Sequence, residues 1–252
     1  MKKALKTLLH RCGLEVRRHR PDHGPGSPHR PVGDMRGLLE DVRTRGFAPR
    51  GIIDVGANRG DWTRTALEIF PAARVIMIEP QFEMVAPLEA LCREKSNVFV
   101  VKAGAGSEPG QLLQTIWEDL AGSSFLPPEN MALQKQGKQR LTPVVTIDSV
   151  LTEHRDFQPD LIKLDIQGFE LKALAGATSI LGRTEMLILE VSLFEFVPGQ
   201  PTAREVIAFM GDRGYDIYDF PGFLRRPLDG ALGQTDIAFV RRNGFFHTSN
   251  AW

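Results

Sequence analysis

Short apolar segments alternate along this chain with amphipathic segments of helical spacing. The apolar segments predict strands at residues 52–55, 75–79, 97–102, 144–147, 161–165 and 187–191. The amphipathic segments predict helices at residues 34–46, 61–70, 82–95, 148–154 and 202–213, with another starting near Phe169. Alternation of this kind is typical of an α/β domain with a parallel sheet. Two last strands, at residues 215–219 and 237–241, are joined by a long loop and are expected to add an antiparallel strand to that sheet.

The first 33 residues follow a different pattern from the rest of the chain. Residues 1–20 predict an amphipathic helix with basic residues on its polar side and with apolar residues at Leu5, Leu8, Leu9, Cys12 and Val16. Residues 21–33 are rich in proline, glycine and histidine and predict a linker. We therefore expect a basic arm and linker at residues 1–33 and a folded domain at residues 34–252. Docking of the arm on the domain or on a partner is favoured, and contact with an anionic membrane surface or an assembly complex is the alternative.

Two segments of the domain lack a clear helix or strand pattern. Residues 111–140 are polar and irregular, with Gly122, Ser123 and Ser124 in their middle. A long loop inside a compact domain is often a lid or a substrate segment, and the alternative is a loop that is only mobile. The aromatic tail at residues 245–252 is expected either to cover a pocket or to pack on the surface.

Composition restricts the class of protein. The chain has 252 residues, which is enough for one α/β domain with a sizeable core. Its 31 basic and 31 acidic residues balance, but residues 1–33 carry a net charge of +6 and the remainder carries −6. An acidic domain argues against a nucleic acid bound along its surface.

Cysteine usage and hydropathy indicate a cytoplasmic protein. Cys12 and Cys92 are the two cysteines and form no C-x-x-C pair, which fits a reducing compartment and excludes a disulfide framework or a thiolate zinc site. No apolar segment approaches the length of a membrane span, and the N-terminus lacks the apolar core of a signal peptide.

The segment from Gly51 to Gly60, G-I-I-D-V-G-A-N-R-G, carries the first candidate chemistry. Its pattern predicts a strand, a tight loop through Gly56, and a helix start, so that free backbone N–H groups face a ligand. The spacing differs from the dinucleotide pattern G-x-G-x-x-G, and the carboxylate of Asp54 would repel a pyrophosphate. An acid here suits a cofactor with a cationic amine and a sulfonium, which describes S-adenosylmethionine. An ordinary strand-to-helix turn is the alternative.

Two further segments are expected beside the same cofactor. Glu79 ends the second predicted strand about twenty residues beyond the glycine loop, where an acid accepts hydrogen bonds from ribose hydroxyls. A solvated strand end is the alternative for Glu79. The turn A-G-A-G at residues 103–106 follows the third strand, so Ala103 and Gly104 are expected beside the adenine, unless the turn is simply a flexible loop.

Two acids at later strand ends are candidates for the reaction itself. The segment L-I-K-L-D-I-Q-G-F-E ends an apolar strand at Asp165, and Glu190 lies inside the apolar segment L-I-L-E-V. A buried carboxylate is costly unless it is paired, bound or protonated. Asp165 and Glu190 are therefore expected to converge on one crevice, as ligands of a divalent cation such as Mg²⁺ or, for Asp165, as a general base. The alternative is that each caps a backbone amide or pairs with a base such as Lys163.

These segments resemble the FkbM family of S-adenosylmethionine-dependent methyltransferases. The matching motifs are D-V-G-A-N-R-G from Asp54, I-E-P from Ile78, T-I-D-S-V-L from Thr146, D-L-I-K-L-D-I-Q-G-F-E-L-K-A-L-A-G-A from Asp160, and L-I-L-E-V from Leu187. They occur in the family's order, and the fourth is the specific one. Gln167 stands where many relatives carry a glutamate, which weakens a metal or acid role at that position.

The resemblance implies a Rossmann-like class I methyltransferase fold with a seven-stranded sheet. It implies cofactor contacts from Asp54, Gly56, Asn58 and Gly60 in the loop and from Glu79 at the ribose, with Asp165 and Glu190 facing the acceptor. It also implies O-methylation of a hydroxyl on a sugar, glycan or natural product, with S-adenosylmethionine as the donor. Two alternatives stay open, namely a non-catalytic cofactor-binding or scaffolding protein of the same fold, and, with less support, a nicotinamide-dependent oxidoreductase.

Overall fold

A computed structural model of the chain describes residues 30–247. The helix expected in residues 1–20, most of the predicted linker, and residues 248–252 of the tail lie outside the described residues. In the described part of the linker, Arg30 pairs with Asp219, and the Gly33 N–H donates to the Phe220 carbonyl at 3.0 Å. The end of the predicted linker therefore packs on the domain. Between residues 30 and 247, the structure contains no helix long and apolar enough to cross a membrane.

Helices and strands alternate along the described chain. The α-helices are α1 (Met35–Thr44), α2 (Asp61–Ile69), α3 (Val85–Glu94), α4 (Met131–Lys135), α5 (Ile147–Glu153), α6 (Glu170–Ala175) and α7 (Ala203–Asp212), and a 3₁₀ turn at Phe82–Met84 precedes α3. The strands are β1 (Gly51–Val55), β2 (Arg74–Ile78), β3 (Val98–Val101), β4 (Gly104–Ala105), β5 (Gly110–Thr115), β6 (Gln139–Val145), β7 (Pro159–Leu164), β8 (Met186–Ser192), β9 (Tyr215–Arg225) and β10 (Leu232–Arg241).

Seven strands form the main sheet in the order β3-β2-β1-β7-β8-β10-β9. The pairs from β3 to β8 are all parallel, whereas β10 runs antiparallel to β8 and to β9. This confirms the predicted Rossmann-like fold, a mostly parallel seven-stranded sheet in which the last strand of the chain is antiparallel. The carboxyl ends of β1, β2 and β7 meet at the edge where the strand order reverses, which is where ligands bind in open α/β sheets.

The central strands are buried on both faces, which explains their nearly continuous apolar sequences. One core lies on the face covered by α1, α2 and α3, and a second lies on the face covered by α5, α6 and α7. Polar residues interrupt the apolar strands near their carboxyl ends, at Asp54, Lys163 and Glu190. The apolar part of the sheet is therefore structural, and the polar part is available for chemistry.

Capping residues set the helix ends close to their predicted positions. The Asp34 side chain accepts from the Gly37 N–H at 2.9 Å and starts α1, as expected. Thr202 and Glu205 form a capping box that starts α7. Loss of such a cap costs about 1 kcal/mol.

Three sequence predictions were wrong. Residues 111–140 are irregular only in part, over residues 116–130, because β5, α4 and the start of β6 also lie there. The predicted A-G-A-G turn contains β4, which pairs with β6 and builds a second sheet in the order β4-β6-β5. The predicted loop at residues 220–236 is mostly strand, because β9 and β10 extend into a long hairpin. All three segments carry polar or glycine residues at strand positions, so the apolar alternation that predicts a strand is weak.

The described part of the tail packs on the domain. The rings of Phe245 and Phe246 lie 5.8 and 5.0 Å from the ring of Phe47, and Phe246 also lies 5.2 Å from Tyr218. Since Phe47 belongs to the core beside α1, these two residues cover that core and do not cover the carboxyl edge of the sheet.

Candidate functional site

A cavity of about 450 Å³ opens at the carboxyl edge of the main sheet. Its volume lies within the range of roughly 300–1,000 Å³ that is usual for cofactor and small-molecule sites. Loops that follow β1, β2 and β7 form one side, and residues between 119 and 125 form another. The loops after β1, β2 and β7 and the segment 119–125 therefore converge on the edge of the sheet that was predicted from sequence.

The glycine loop after β1 forms a wall that a larger residue would block. Gly56 has a φ of +80°, and a Cβ atom there would lie 2.0 Å from the backbone carbonyl oxygen of Asp165. Asn58 also has a positive φ of 49° and lines the cavity. Gly60, at φ +82°, is the N-cap residue of α2 and shapes the turn, but it does not line the cavity. At Gly56 the loop thus presents its backbone atoms directly to the cavity.

Glu79 joins the first two loops of the site. It is buried, lines the cavity, and accepts from the Asn58 N–H at 2.8 Å and from the Gln81 N–H at 2.9 Å. Burial raises the pKa of Glu79 above its usual value, and the two backbone donors oppose that rise. Its place matches the sequence prediction.

Asp54 differs from the expectation of a direct cofactor contact. Its side chain is fully buried and is not among the residues that line the cavity. One oxygen accepts from the Thr63 hydroxyl at 2.6 Å, and the other, Oδ1, is buried and has no hydrogen-bond partner among residues 30–247. Burial raises the pKa of Asp54, while the neighbouring Lys163 opposes the rise. Asp54 therefore lies beside Lys163 in the sheet and not on the cavity wall.

The turn after β3 also differs in part from its prediction. Ala103 is buried and does not line the cavity, whereas Gly104 and Ala105 do. A Cβ at Gly104 would lie 2.3 Å from the ring of Phe125, so glycine here lets the loop of the second sheet come close.

Residues 119–125 form a fixed wall of the cavity. The Gln81 side chain donates to the Leu120 carbonyl at 3.0 Å, and the Ser124 hydroxyl donates to the Gln167 carbonyl at 2.9 Å. These bonds attach the segment to the loops after β2 and after β7. Sequence reasoning singled out Ser123 and Ser124 but missed Gln81, whose only signal was its position two residues after Glu79.

Asp165 and Lys163 form an ion pair at the floor of the cavity. The Lys163 Nζ lies 2.8 Å from Asp165 Oδ2, and the two side chains are 8% and 33% exposed. Burial alone would raise the pKa of Asp165, but the Lys163 ammonium outweighs it and lowers that pKa below its usual value. Asp165 is therefore a charged carboxylate that a ligand can reach.

Glu190 lies beside Asp165, held by two glutamines. The Gln167 amide donates to Asp165 Oδ1 at 3.0 Å and to Glu190 Oε2 at 2.6 Å, and the Gln234 amide donates to Glu190 Oε2 at 3.0 Å. Burial, followed by the charge of Asp165, raises the pKa of Glu190 well above its usual value. The acids do converge as predicted, but one is ionised and the other holds its proton.

A divalent cation at Asp165 and Glu190 is not supported. Over residues 30–247, the structure contains no group of three or more His, Cys, Asp or Glu side chains arranged for a metal ion. Gln167 explains this, since its amide occupies the position between the two acids and donates to both. Among the predicted alternatives, the pairing of Asp165 with Lys163 is the one observed.

Glu170 was not predicted and fixes the loop that carries Asp165. Its buried carboxylate accepts from the Ile166 and Gly168 N–H groups, both at 3.1 Å, and holds Gln167 at a φ of +54°. Burial raises the pKa of Glu170 to about 7, against the effect of these donors. The local signal was an acid at the first position of a helix after a glycine turn.

Replacing Gln167 with glutamate is expected to destabilise the protein. The change removes the donors to Asp165 and Glu190 and adds a third carboxylate beside them. The free energy of unfolding at pH 8 should fall by about 2 kcal/mol or more in urea titrations without divalent cations. Gln111→Glu on the exposed part of β5 is the control and should leave it unchanged. Equal stability of Gln167→Glu and the wild type would show that the amide does not hold the two acids.

Comparison with known proteins matches this chain to methyltransferases. The sequence profile of the Methyltransferase FkbM domain matches residues 54–217. Methyltransferase sdnD of Sordaria araneosa is 28% identical over 194 residues, which cover 66% of this chain and 73% of that protein.

Two solved structures are similar to this chain at low identity. The methyltransferase FkbM of Methylobacillus flagellatus is 21% identical with a TM-score of 0.49, over 75% of this chain and 43% of that one. This chain thus spans less than half of that protein's length. The 1,6-didemethyltoxoflavin-N1-methyltransferase of Burkholderia thailandensis, solved with its substrate and S-adenosylhomocysteine, is 15% identical with a TM-score of 0.44, over 82% and 76% of the two chains.

Proposed function

Because the chain belongs to the FkbM family of methyltransferases, we propose that it transfers a methyl group from S-adenosylmethionine to a hydroxyl group of a small-molecule or glycan acceptor. The observation that carries the proposal is that Glu79 and Asp165 line one cavity built on the glycine loop. The family match spans the loops after β1, β2 and β7, which supply these residues.

The residues around the cavity fit S-adenosylmethionine. Gly56 and Asn58 bring backbone to the wall, and Glu79 offers carboxylate oxygens to the ribose hydroxyls. Five acidic residues line the cavity against two basic ones, Arg59 and Lys163, and this excess of acidic side chains favours a cationic ligand. When bound, the cofactor supplies an electrophilic methyl carbon next to a positively charged sulfur.

Asp165 is the group placed to accept the acceptor's proton. An alcohol holds its proton tightly at neutral pH, so a base must take that proton as the hydroxyl oxygen becomes a methyl ether. Asp165 is ionised and partly exposed to the cavity, whereas Glu190 keeps its own proton. The proton passes to the Asp165 carboxylate and from there to water.

The polar groups that line the cavity support an acceptor rich in hydroxyl groups. Amides and hydroxyls that can both donate and accept hydrogen bonds line it at Gln114, Ser123, Ser124, Gln167 and Gln234. A protonated Glu190 adds a donor to the same set. Such groups pair well with sugar hydroxyls.

Methyl transfer itself tests the proposal. The purified full chain is incubated with methyl-labelled S-adenosylmethionine and with cell glycans, small polyols and phenols, and the labelled products are treated with mild base. Label in a base-stable ether linkage on a hydroxyl is the expected result. Label released by base as an ester, label on nitrogen, or no label in any fraction would contradict O-methylation.

Replacing Glu79 with alanine is expected to weaken cofactor binding. The change removes the proposed ribose acceptors and also the bonds to the Asn58 and Gln81 N–H groups. Affinity for S-adenosylhomocysteine, measured by calorimetry, should fall by about 10- to 100-fold, the effect of one or two hydrogen bonds to a charged group. Glu83→Ala removes an acid that pairs with Arg140 near the surface and is the control. If Glu79→Ala bound S-adenosylhomocysteine with unaltered affinity, Glu79 would not be a ligand of the ribose.

A further inference from the structure

Lys163 is a buried cation in a strand whose other buried residues are apolar. It lies on β7, where its neighbours along the strand, Ile162 and Leu164, are fully buried in the core. The Lys163 side chain is 8% exposed, and its Nζ contacts Asp165 Oδ2 at 2.8 Å. A buried ammonium is costly unless it is paired. The position of this buried lysine at the edge of the cavity indicates a functional role.

Acids surround Lys163 from every element packed against it. Asp54 of β1 is its register partner in the sheet. Glu190 of β8 and Asp236 of β10 lie directly opposite each other on the far side, and Glu170 of α6 is buried behind the Asp165 loop. Lys163 is therefore one cation among five carboxyl groups, counting Asp165.

We infer that Lys163 is a positioning residue for methyl transfer: its ammonium group holds the Asp165 carboxylate at the cavity floor as an ion pair, so that Asp165 and not Glu190 takes the acceptor's proton. The inference rests on the proposed function for its role in the reaction. The ion pair itself is independent of any cofactor or acceptor.

The geometry separates the two candidate acids. Lys163 contacts one oxygen of Asp165, and the Gln167 amide contacts the other, so the carboxylate is fixed at both ends. Among the described residues, Glu190 receives donors from Gln167 and Gln234 and has no ion-pair partner, whereas Asp165 pairs with Lys163. Opposite charge favours the ionised form of an acid, and burial beside a like charge favours the protonated form.

The charges on Lys163 and its neighbours support the same assignment. Burial alone would lower the pKa of Lys163, but the carboxylates of Asp165 and Asp54 outweigh burial and raise it, so the amine stays protonated and cannot itself act as the base. Asp236 has a pKa raised to about 6 by burial, and Lys163 opposes that rise. Lys163 thus contributes a positive charge, and the carboxylate of Asp165 accepts the proton.

Carbon-13 NMR of the full chain, labelled at aspartate side-chain carboxyls, tests the inference without cofactor or acceptor. The Asp165 signal is identified by its loss in Asp165→Asn. In the wild type it should titrate below the usual aspartate range. In Lys163→Met its midpoint should rise by more than about one pH unit, as expected when an adjacent opposite charge is removed. Lys163→Arg keeps the charge and should stay near the wild type, and Lys172→Met on α6 is the control.

A reciprocal measurement covers the case in which Lys163→Met does not fold. Nitrogen-15 NMR of the Lys163 ammonium group should show its midpoint falling by more than about one pH unit in Asp165→Asn relative to the wild type, because the interaction acts equally on both partners. An Asp165 midpoint unchanged in Lys163→Met, or a Lys163 midpoint unchanged in Asp165→Asn, overturns the inference. Normal titrations with no methyl transfer would instead count against the proposed function alone.

Discussion

Replacing Asp165 with asparagine should remove methyl transfer while leaving S-adenosylhomocysteine binding intact. Asparagine has nearly the same shape as aspartate but cannot take up the acceptor's proton at neutral pH. General bases contribute about 10²- to 10⁴-fold to rate, and turnover should fall by that factor. The sulfur of S-adenosylhomocysteine is uncharged, so loss of the carboxylate removes no attraction between Asp165 and that sulfur. Labelled methyl transfer gives the rate, and calorimetry gives the affinity.

The control for Asp165→Asn separates chemistry from folding. The change also removes the ion-pair partner of the buried Lys163, so thermal unfolding must be measured beside the rate. Asp160→Asn, at an acid that contacts Arg50 at the opposite edge of the sheet, should leave turnover unchanged. A folded Asp165→Asn protein with wild-type turnover would remove Asp165 from the mechanism.

Replacing Gly56 with alanine should abolish cofactor binding and destabilise the domain. The new Cβ would lie 2.0 Å from the Asp165 carbonyl oxygen and 2.9 Å from the Ile166 side chain. Because the first obstacle is backbone, the loops after β1 and β7 must separate. Both walls of the cavity move as a result. Calorimetry should detect no S-adenosylhomocysteine binding at concentrations that saturate the wild type.

A second glycine provides the control for backbone strain. Gly214 has the same φ of +80°, but a Cβ there meets nothing within 4 Å. Gly214→Ala therefore carries only the cost of the left-handed conformation, about 1–3 kcal/mol, and should keep cofactor binding. If Gly56→Ala and Gly214→Ala were equally stable and both bound the cofactor, the close approach of the two loops would not be needed.

The fold was predictable because buried parallel strands are almost entirely apolar. The segments at β1, β2, β7 and β8 carry that signal, and their order is enough to bring Glu79 and Asp165 to one edge. Capping residues such as Asp34 fixed the helix starts in the same way. The second sheet escaped prediction because β5 begins with three exposed residues and β6 buries Gln139 and Thr142 while it exposes Leu141, so no apolar periodicity distinguishes them from a loop.

The positions of the acids in the candidate site were predictable from sequence, but their burial and their protonation were not. Strand ends located Asp54, Asp165 and Glu190, but sequence could not show that Asp54 is buried beneath the cavity. It also could not show that Gln167 joins Asp165 to Glu190, since that contact depends on the positive φ of Gln167. Charge states follow from burial and from neighbours on other strands, which a single sequence does not reveal.

The central claim is that the acids at the carboxyl edge of this sheet form the site of a cationic methyl donor. Calorimetric titration of the full chain with S-adenosylhomocysteine and, in parallel, with a nicotinamide dinucleotide tests it most directly. The account predicts saturable binding of S-adenosylhomocysteine at one site per chain and no heat from the dinucleotide. Binding of the dinucleotide alone, or of neither ligand, would contradict it.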